Sequence, residues 1–243
     1  MKNLYLAMLI FCFVSSSYSQ SKIELDKQSL LYKTNKVKIQ TIDYGSGRKN
    51  VTKYNQNGKP TESHDYYNNI EANITTYKYD KKGRMTEESY YGYESGDGNL
   101  SKYYYDENEN VAKIVSSGSD ESEVEYSYDI HGNIIETEYH DIALEPGPPL
   151  FQHYLHTYEA DKLTFTDEEC TLRREEIFQT KYTYEESNVI MIEVFYKKCS
   201  TGEIILNSKQ TFEYFENGLI KESIVEGIYN EAPQKNIYSY EFY

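Results

Sequence analysis

The chain has no tryptophan, three cysteines and five prolines, and beyond its first residues it has no long hydrophobic run. With no further apolar stretch of about 20 residues, no transmembrane segment is expected. Once the N-terminal run is set aside two cysteines remain, and without histidine partners they make a poor zinc site. Basic residues are also scarce, 25 against 40 acidic ones, for a net charge of −15. An acidic surface of this size repels phosphate backbones and anionic membranes, which excludes a direct nucleic-acid binder.

Tyrosine is abundant, with 28 copies, and its placement is regular. In the stretch from Thr76 to Tyr91, Tyr77 and Tyr79 alternate as on a half-buried strand, where side chains two apart share a face. Asp80-Lys81-Lys82-Gly83 then supplies a turn. The Asp side chain accepts a hydrogen bond from the backbone two residues on, and Gly83 enters the left-handed region, as a hairpin-closing type I turn requires. Arg84 to Tyr91 is the returning strand. The unit recurs, its second tyrosine falling at Tyr54, Tyr79, Tyr105, Tyr128, Tyr158, Tyr184, Tyr214 and Tyr240, with a period of about 26 residues. Glu109 and Lys162 occupy the glycine position in the third and fifth copies, and Asn188 replaces it in the sixth.

The Tyr-x-Tyr-Asp-x-x-Gly pattern, whole at Tyr77 to Gly83 and at Tyr126 to Gly132, resembles the YD repeat of Rhs-type proteins, teneurins and bacterial toxin-complex shells. The resemblance covers residues 50 to 243. It implies hairpins joined edge to edge into a long strip of sheet, and it transfers no catalytic residue, because no Asp-Pro-x-Gly core segment is present. The expected fold is all-β: an elongated or curved antiparallel sheet of consecutive β-hairpin repeats.

Residues 1–19 read as a secretory signal peptide, with Lys2, an apolar run from Leu4 to Val14 and small residues at Ser17 and Ser19. Export to the periplasm, cell surface or medium follows. Residues 20–49 are expected to cap the open end of the sheet, with a strand at Val37 to Thr41 and with Lys33, Lys36 and Lys38 discouraging edge pairing. Gly45-Ser46-Gly47 reads as an ordinary loop. Residues 50–243 form the repeat domain. Glu145 to Pro149, with three prolines in five positions, reads as a protruding loop. Asp167 to Ile177 has helical propensity but falls in an inter-hairpin connection. Cys170 and Cys199 lie in equivalent connections of an exported chain and form a disulfide candidate.

No constellation of residues in the chain points to catalysis. His153 and His156 point to opposite faces of a strand, no Gly-x-Ser-x-Gly elbow occurs, and the many carboxylate pairs read as solvated faces. Asp106 to Asn110 resembles a calcium loop but lacks its glycine and its final acid. No cofactor, metal site or catalytic residue is therefore expected. Most tyrosines read as cross-strand ladders. The adjacent pairs Tyr66-Tyr67 and Tyr90-Tyr91 place one ring on each face and are the candidate binding residues. The expected function is a non-catalytic exported scaffold or binding module with a protein or glycan partner. A carbohydrate-binding surface protein, and a toxin-associated shell fragment or immunity protein, are the other readings.

Overall fold

The computed structural model describes residues 22–118, 121–141, 151–160, 162–168, 176–227 and 232–243. Among the described residues, after helix α1 (Lys22–Thr34) come β1 (Val37–Gly45), β2 (Arg48–Tyr54), β3 (Pro60–Tyr67), β4 (Ile70–Tyr79) and β5 (Met85–Gly92). There follow β6 (Gly98–Tyr105), β7 (Val111–Gly118), β8 (Ser122–Tyr128), β9 (Ile134–Asp141), β10 (Phe151–Glu159) and β11 (Lys162–Glu168). The last are β12 (Glu176–Glu185), β13 (Asn188–Lys198), β14 (Ile204–Tyr214), β15 (Ile220–Gly227) and β16 (Gln234–Phe242). Each strand pairs antiparallel with its neighbours in sequence, and β1 also pairs with β16. The result is a closed barrel of 16 strands.

Closure is where the fold goes beyond the expected strip. Gln40 lies opposite Tyr240, Thr41 opposite Ser239 and Ile42 opposite Tyr238, while the other edge of β1 pairs with β2. Residues 22–49, expected to cap an open edge, therefore supply a helix and a strand of the ring itself. The reason is cumulative: every strand pair adds right-handed twist and coil, and a bulge at the tyrosine of each hairpin adds more, until the two edges meet. A closed ring has no unpaired edge to protect.

The turns form as the sequence pattern requires. The Asp80 side chain accepts hydrogen bonds from the backbone nitrogens of Lys82 and Arg84, both at 2.9 Å, and Asp129 does the same for His131 and Asn133. Gly83 and Gly132 have φ of +79° and +83°. Where glycine is missing, the left-handed residues are Glu109, Ala160 and Glu186. The expected substitutes Lys162 and Asn188 sit instead in the strands, paired with Glu159 and Glu185. Asp167 and Glu168 extend β11, and Ile177 belongs to β12; the signal-peptide segment, the Glu145–Pro149 loop, residues 169–175 and Cys170 lie outside the described residues.

The register fixes which side chains share a face. One face carries the repeat tyrosines with Gln40, Ser101, Ile114, Tyr126, Ile134 and Ser223, all buried or nearly so. The other carries pairs such as Lys53 with Glu62, Lys78 with Glu87 and Lys235 with Glu222, whose lysines are about half or more exposed. The concave side of a ring is the more crowded one, so the tyrosine face lines the interior and the charged face is the outer wall.

A repeated hydrogen bond ties six of the hairpin tyrosines to the hairpin before. Tyr79, Tyr105, Tyr128, Tyr184, Tyr214 and Tyr240 donate their hydroxyls to the carbonyls of Pro60, Met85, Val111, Leu163, Val189 and Ile220 at 2.6–2.9 Å. Each acceptor is the residue paired with the preceding hairpin's own tyrosine. Tyrosine therefore serves twice, as an apolar ring filling the wall and as a donor to a carbonyl in the preceding hairpin. Burial pushes the phenols of Tyr79, Tyr105, Tyr128, Tyr214 and Tyr240 up, Tyr105 and Tyr214 to about 12, so they remain neutral donors.

At the turn end of the barrel, α1 rests on the interior face. Tyr32 is buried against Val37 and Leu219, its ring 4.6 Å from that of Tyr54 and edge-on to it. Gln40 donates to the hydroxyls of Tyr32 and Tyr240 and accepts from Tyr54. The helix backbone closes on the β2–β3 turn, where a Cβ at Gly58 would collide with the Ser29 carbonyl and lie 2.6 Å from the Lys33 nitrogen. Gly83 has a similar φ but only the end of the Lys59 side chain nearby, at 3.6 Å. Gly83→Ala is expected to cost about 1 kcal/mol, the price of a left-handed non-glycine residue. Gly58→Ala costs more and loosens α1; urea unfolding of both variants, with hydrogen exchange along residues 22–34, reads the difference.

Candidate functional site

On the outer wall, near the ends of β3, β4 and β5 away from the repeat turns, several aromatic rings gather. Tyr66 lies opposite Glu71, and Tyr91 opposite Ile74. Tyr93 follows β5, its backbone nitrogen held by the Ala72 carbonyl at 2.9 Å and its ring edge-on to Tyr91 at 5.4 Å. The Tyr93 phenol is pushed up by partial desolvation and then by Glu71, Tyr91 and Tyr66, which surround it. His64 stacks beside Tyr66, and Lys49 lies 4.9 Å over the Tyr66 ring while donating to Asn69. His64 also pairs with Glu71 and, at 3.3 Å, with Glu62. Tyr91 and Tyr93 are 43% and 47% exposed, and at the neighbouring rim Tyr67 and Ile70 are 57% and 72% exposed. The patch thus joins open aromatic faces to a border of carboxylate, amide and ammonium groups.

Of the four tyrosines singled out from sequence, Tyr66 and Tyr91 share this outer patch, while Tyr67, opposite Arg48 at the rim, falls on the other face of β3. Tyr90 faces the interior, where its hydroxyl donates to Asn73 at 2.9 Å. Tyr93 was missed because it follows Gly92 at the end of the strand, outside the alternation that singled out the pairs. Cys199 is disulfide-bonded; Cys170, its expected partner, is not among the described residues. Asp106 spends both carboxylate oxygens on Asn110, at 2.7 and 3.2 Å, holding a hairpin turn rather than a calcium loop.

Two other places gather polar groups. A cleft of about 450 Å³ at the turn rim is lined by Lys33 of α1, Asn55, Asn57, Lys59, Tyr79 and the Asp80–Gly83 turn. Two of its cations are engaged: Lys59 donates to the Gly83 carbonyl and lies 5.7 Å over the Tyr79 ring, and Lys82 pairs with Glu109. On the outer wall of β9 and β10, Glu136, Glu138 and His153 bring one ligand atom each within 4.8 Å of one another. His156, three residues on, points inward as strand geometry demands, between the hydroxyls of Thr137 and Thr166 at 3.0 and 3.1 Å.

No known family's sequence profile matches the chain, and no curated protein does. Solved structures that resemble it include a porin-like protein from Bacteroides uniformis, 11% identical, covering 85% of this chain and 97% of that one at a TM-score of 0.41. The toxin complex TcdB2-TccC3 and its TcdB2-TccC3-TEV form are also 11% identical, with TM-scores of 0.29 and 0.33; the alignments cover 80% and 75% of this chain and 14% and 12% of those chains. The protein is an all-β barrel of consecutive hairpin repeats.

Burial, and then the nearby His153, lower the His156 pKa from 6.5 to about 4. Folded chains thus bind this proton less readily than unfolded ones. The corresponding stability is present above about pH 6.5 and is lost as pH falls towards 4. Wild type should lose roughly 3 kcal/mol more than His156→Gln between pH 7 and pH 4, one pKa unit being about 1.4 kcal/mol. Parallel urea titrations across that range check it.

Proposed function

We propose that this chain is a non-catalytic binding module, exported to the cell envelope or the medium, whose outer aromatic patch holds carbohydrate. The observation that carries the reading is that Tyr91 and Tyr93, both more than two-fifths exposed, stand edge-on to one another on the outer wall near Tyr66, whereas repeat tyrosines such as Tyr79 and Tyr105 turn inward and hydrogen-bond. The π-face of a tyrosine is matched by the apolar C–H face of a sugar ring. Glu71, Asn69 and Lys49 at the border supply partners for the hydroxyls, the mix of apolar floor and few polar groups that small-molecule sites use. The outer wall supports an aqueous setting. Exposed lysines near mid-strand, Lys102 of β6 and Lys181 of β12, would each cost about 2–4 kcal/mol at the middle of a bilayer. The resemblance of the repeats to the YD pattern is consistent with a scaffold role and adds no chemistry.

A glycan array and cell-wall pull-down of the chain from Gln20 test this directly. Tyr91→Ala and Tyr93→Ala are expected to lose retention while stability stays within about 0.5 kcal/mol of wild type, as for exposed positions. Tyr90→Ala, on the interior face, lowers stability instead. Retention unchanged in Tyr91→Ala and Tyr93→Ala, or absent from wild type altogether, would remove carbohydrate as the ligand.

A further inference from the structure

The geometry points to a divalent transition-metal site, of the zinc type, on the outer wall of β9 and β10. Glu136, Glu138 and His140 occupy alternate positions of β9 and so project from one face. The register then sets His153 of β10 directly opposite Glu138. His153 Nε2 contacts a Glu136 carboxylate oxygen, and His140 Nε2 lies 3.7 Å from Glu138. Two carboxylates and one imidazole already have their ligand atoms within 4.8 Å of one another, and His140 is placed to complete the set.

Three observations favour a cation. The mixed imidazole and carboxylate set suits zinc and its neighbours, whose metal–ligand distances are about 2.0–2.2 Å; calcium and magnesium take oxygen ligands alone. The strands hold the donors in place, so little ordering remains on binding. Across the other edge of β9, Glu138 faces Glu125, and like charges directly opposite on a sheet repel. A bound dication relieves that repulsion at Glu138, which the single lysine on β8's far side, Lys113, does not reach in its pairing with Glu123 and Glu125. The site lies on β9 and β10 and is independent of the aromatic patch on β3 to β5.

Titration of the metal-stripped chain with Zn²⁺, followed by calorimetry and by melting temperature, tests the site. Wild type is expected to bind one Zn²⁺ more tightly than Ca²⁺ or Mg²⁺, and its melting temperature rises on binding. His153→Gln and Glu138→Gln each weaken binding about tenfold or more and abolish the rise. His64→Gln, which alters the His64 cluster with Glu62 and Glu71 on β3 and β4, leaves both unchanged. Circular dichroism of each variant without metal verifies the fold, and Glu136→Gln provides a further ligand variant if one of the others fails to fold. Equal affinity in His153→Gln, loss of binding in His64→Gln, or no Zn²⁺ binding to wild type would overturn the assignment and leave the cluster an ion pair.

Discussion

The ladder between β1 and β16 is the constraint on which the rest of the structure depends. Hairpin repeats pair with their neighbours and nothing else, so a strip of them ends in two raw edges, each a row of unsatisfied backbone donors and acceptors. Joining the first strand to the last removes both edges. It also creates an inside, and with it the difference between a tyrosine-lined interior and a charged outer wall. The helix belongs to the same event: Tyr32 and Gln40 bind Tyr54 from β2 and Tyr240 from β16, on either side of the closing strand.

Within the ring, the tyrosine hydroxyl is the link that sequence periodicity turns into packing. Because six of the repeat tyrosines donate to a carbonyl one hairpin back, those repeats are held by side chain as well as by backbone. The same hydrogen bond is made with different neighbours at the rim. Lys59, Arg84 and Lys162 place their cations over the rings of Tyr79, Tyr105 and Tyr184, whereas Leu219 occupies the corresponding place before Tyr240 and packs beneath α1. The repeat tolerates such changes because its hydrogen bond needs only the backbone carbonyl.

Much of this was legible from the chain. Alternating tyrosines and the Asp-x-x-Gly turns determine local geometry, so the strands, the Asp80 and Asp129 caps and the left-handed glycines could be read directly. Closure could not, because it depends on twist summed over all the pairs, which no single repeat encodes. The helix was missed since Lys22 to Thr34 shows only a weak apolar stripe, although its Leu, Lys and Gln residues favour helix. The aromatic patch was half visible: alternation says that one of Tyr90 and Tyr91 faces out, but only the register says which. For the same reason the Glu136, Glu138 and His140 alternation stood in the sequence unremarked, while His153 joined it only once β10 was laid beside β9.

The most direct test of the account is a cross-link between the ends of the ring. Thr41 and Ser239 are register partners on β1 and β16, and antiparallel partners lie about 4.5–5.5 Å apart at Cα, within reach of a disulfide. A Thr41→Cys, Ser239→Cys variant is predicted to form an intramolecular bond on mild oxidation, to remain monomeric and to unfold at higher denaturant than its reduced form. Thiols that stay free, or that link only between molecules, would show that the first and last strands do not meet and that the sheet is open.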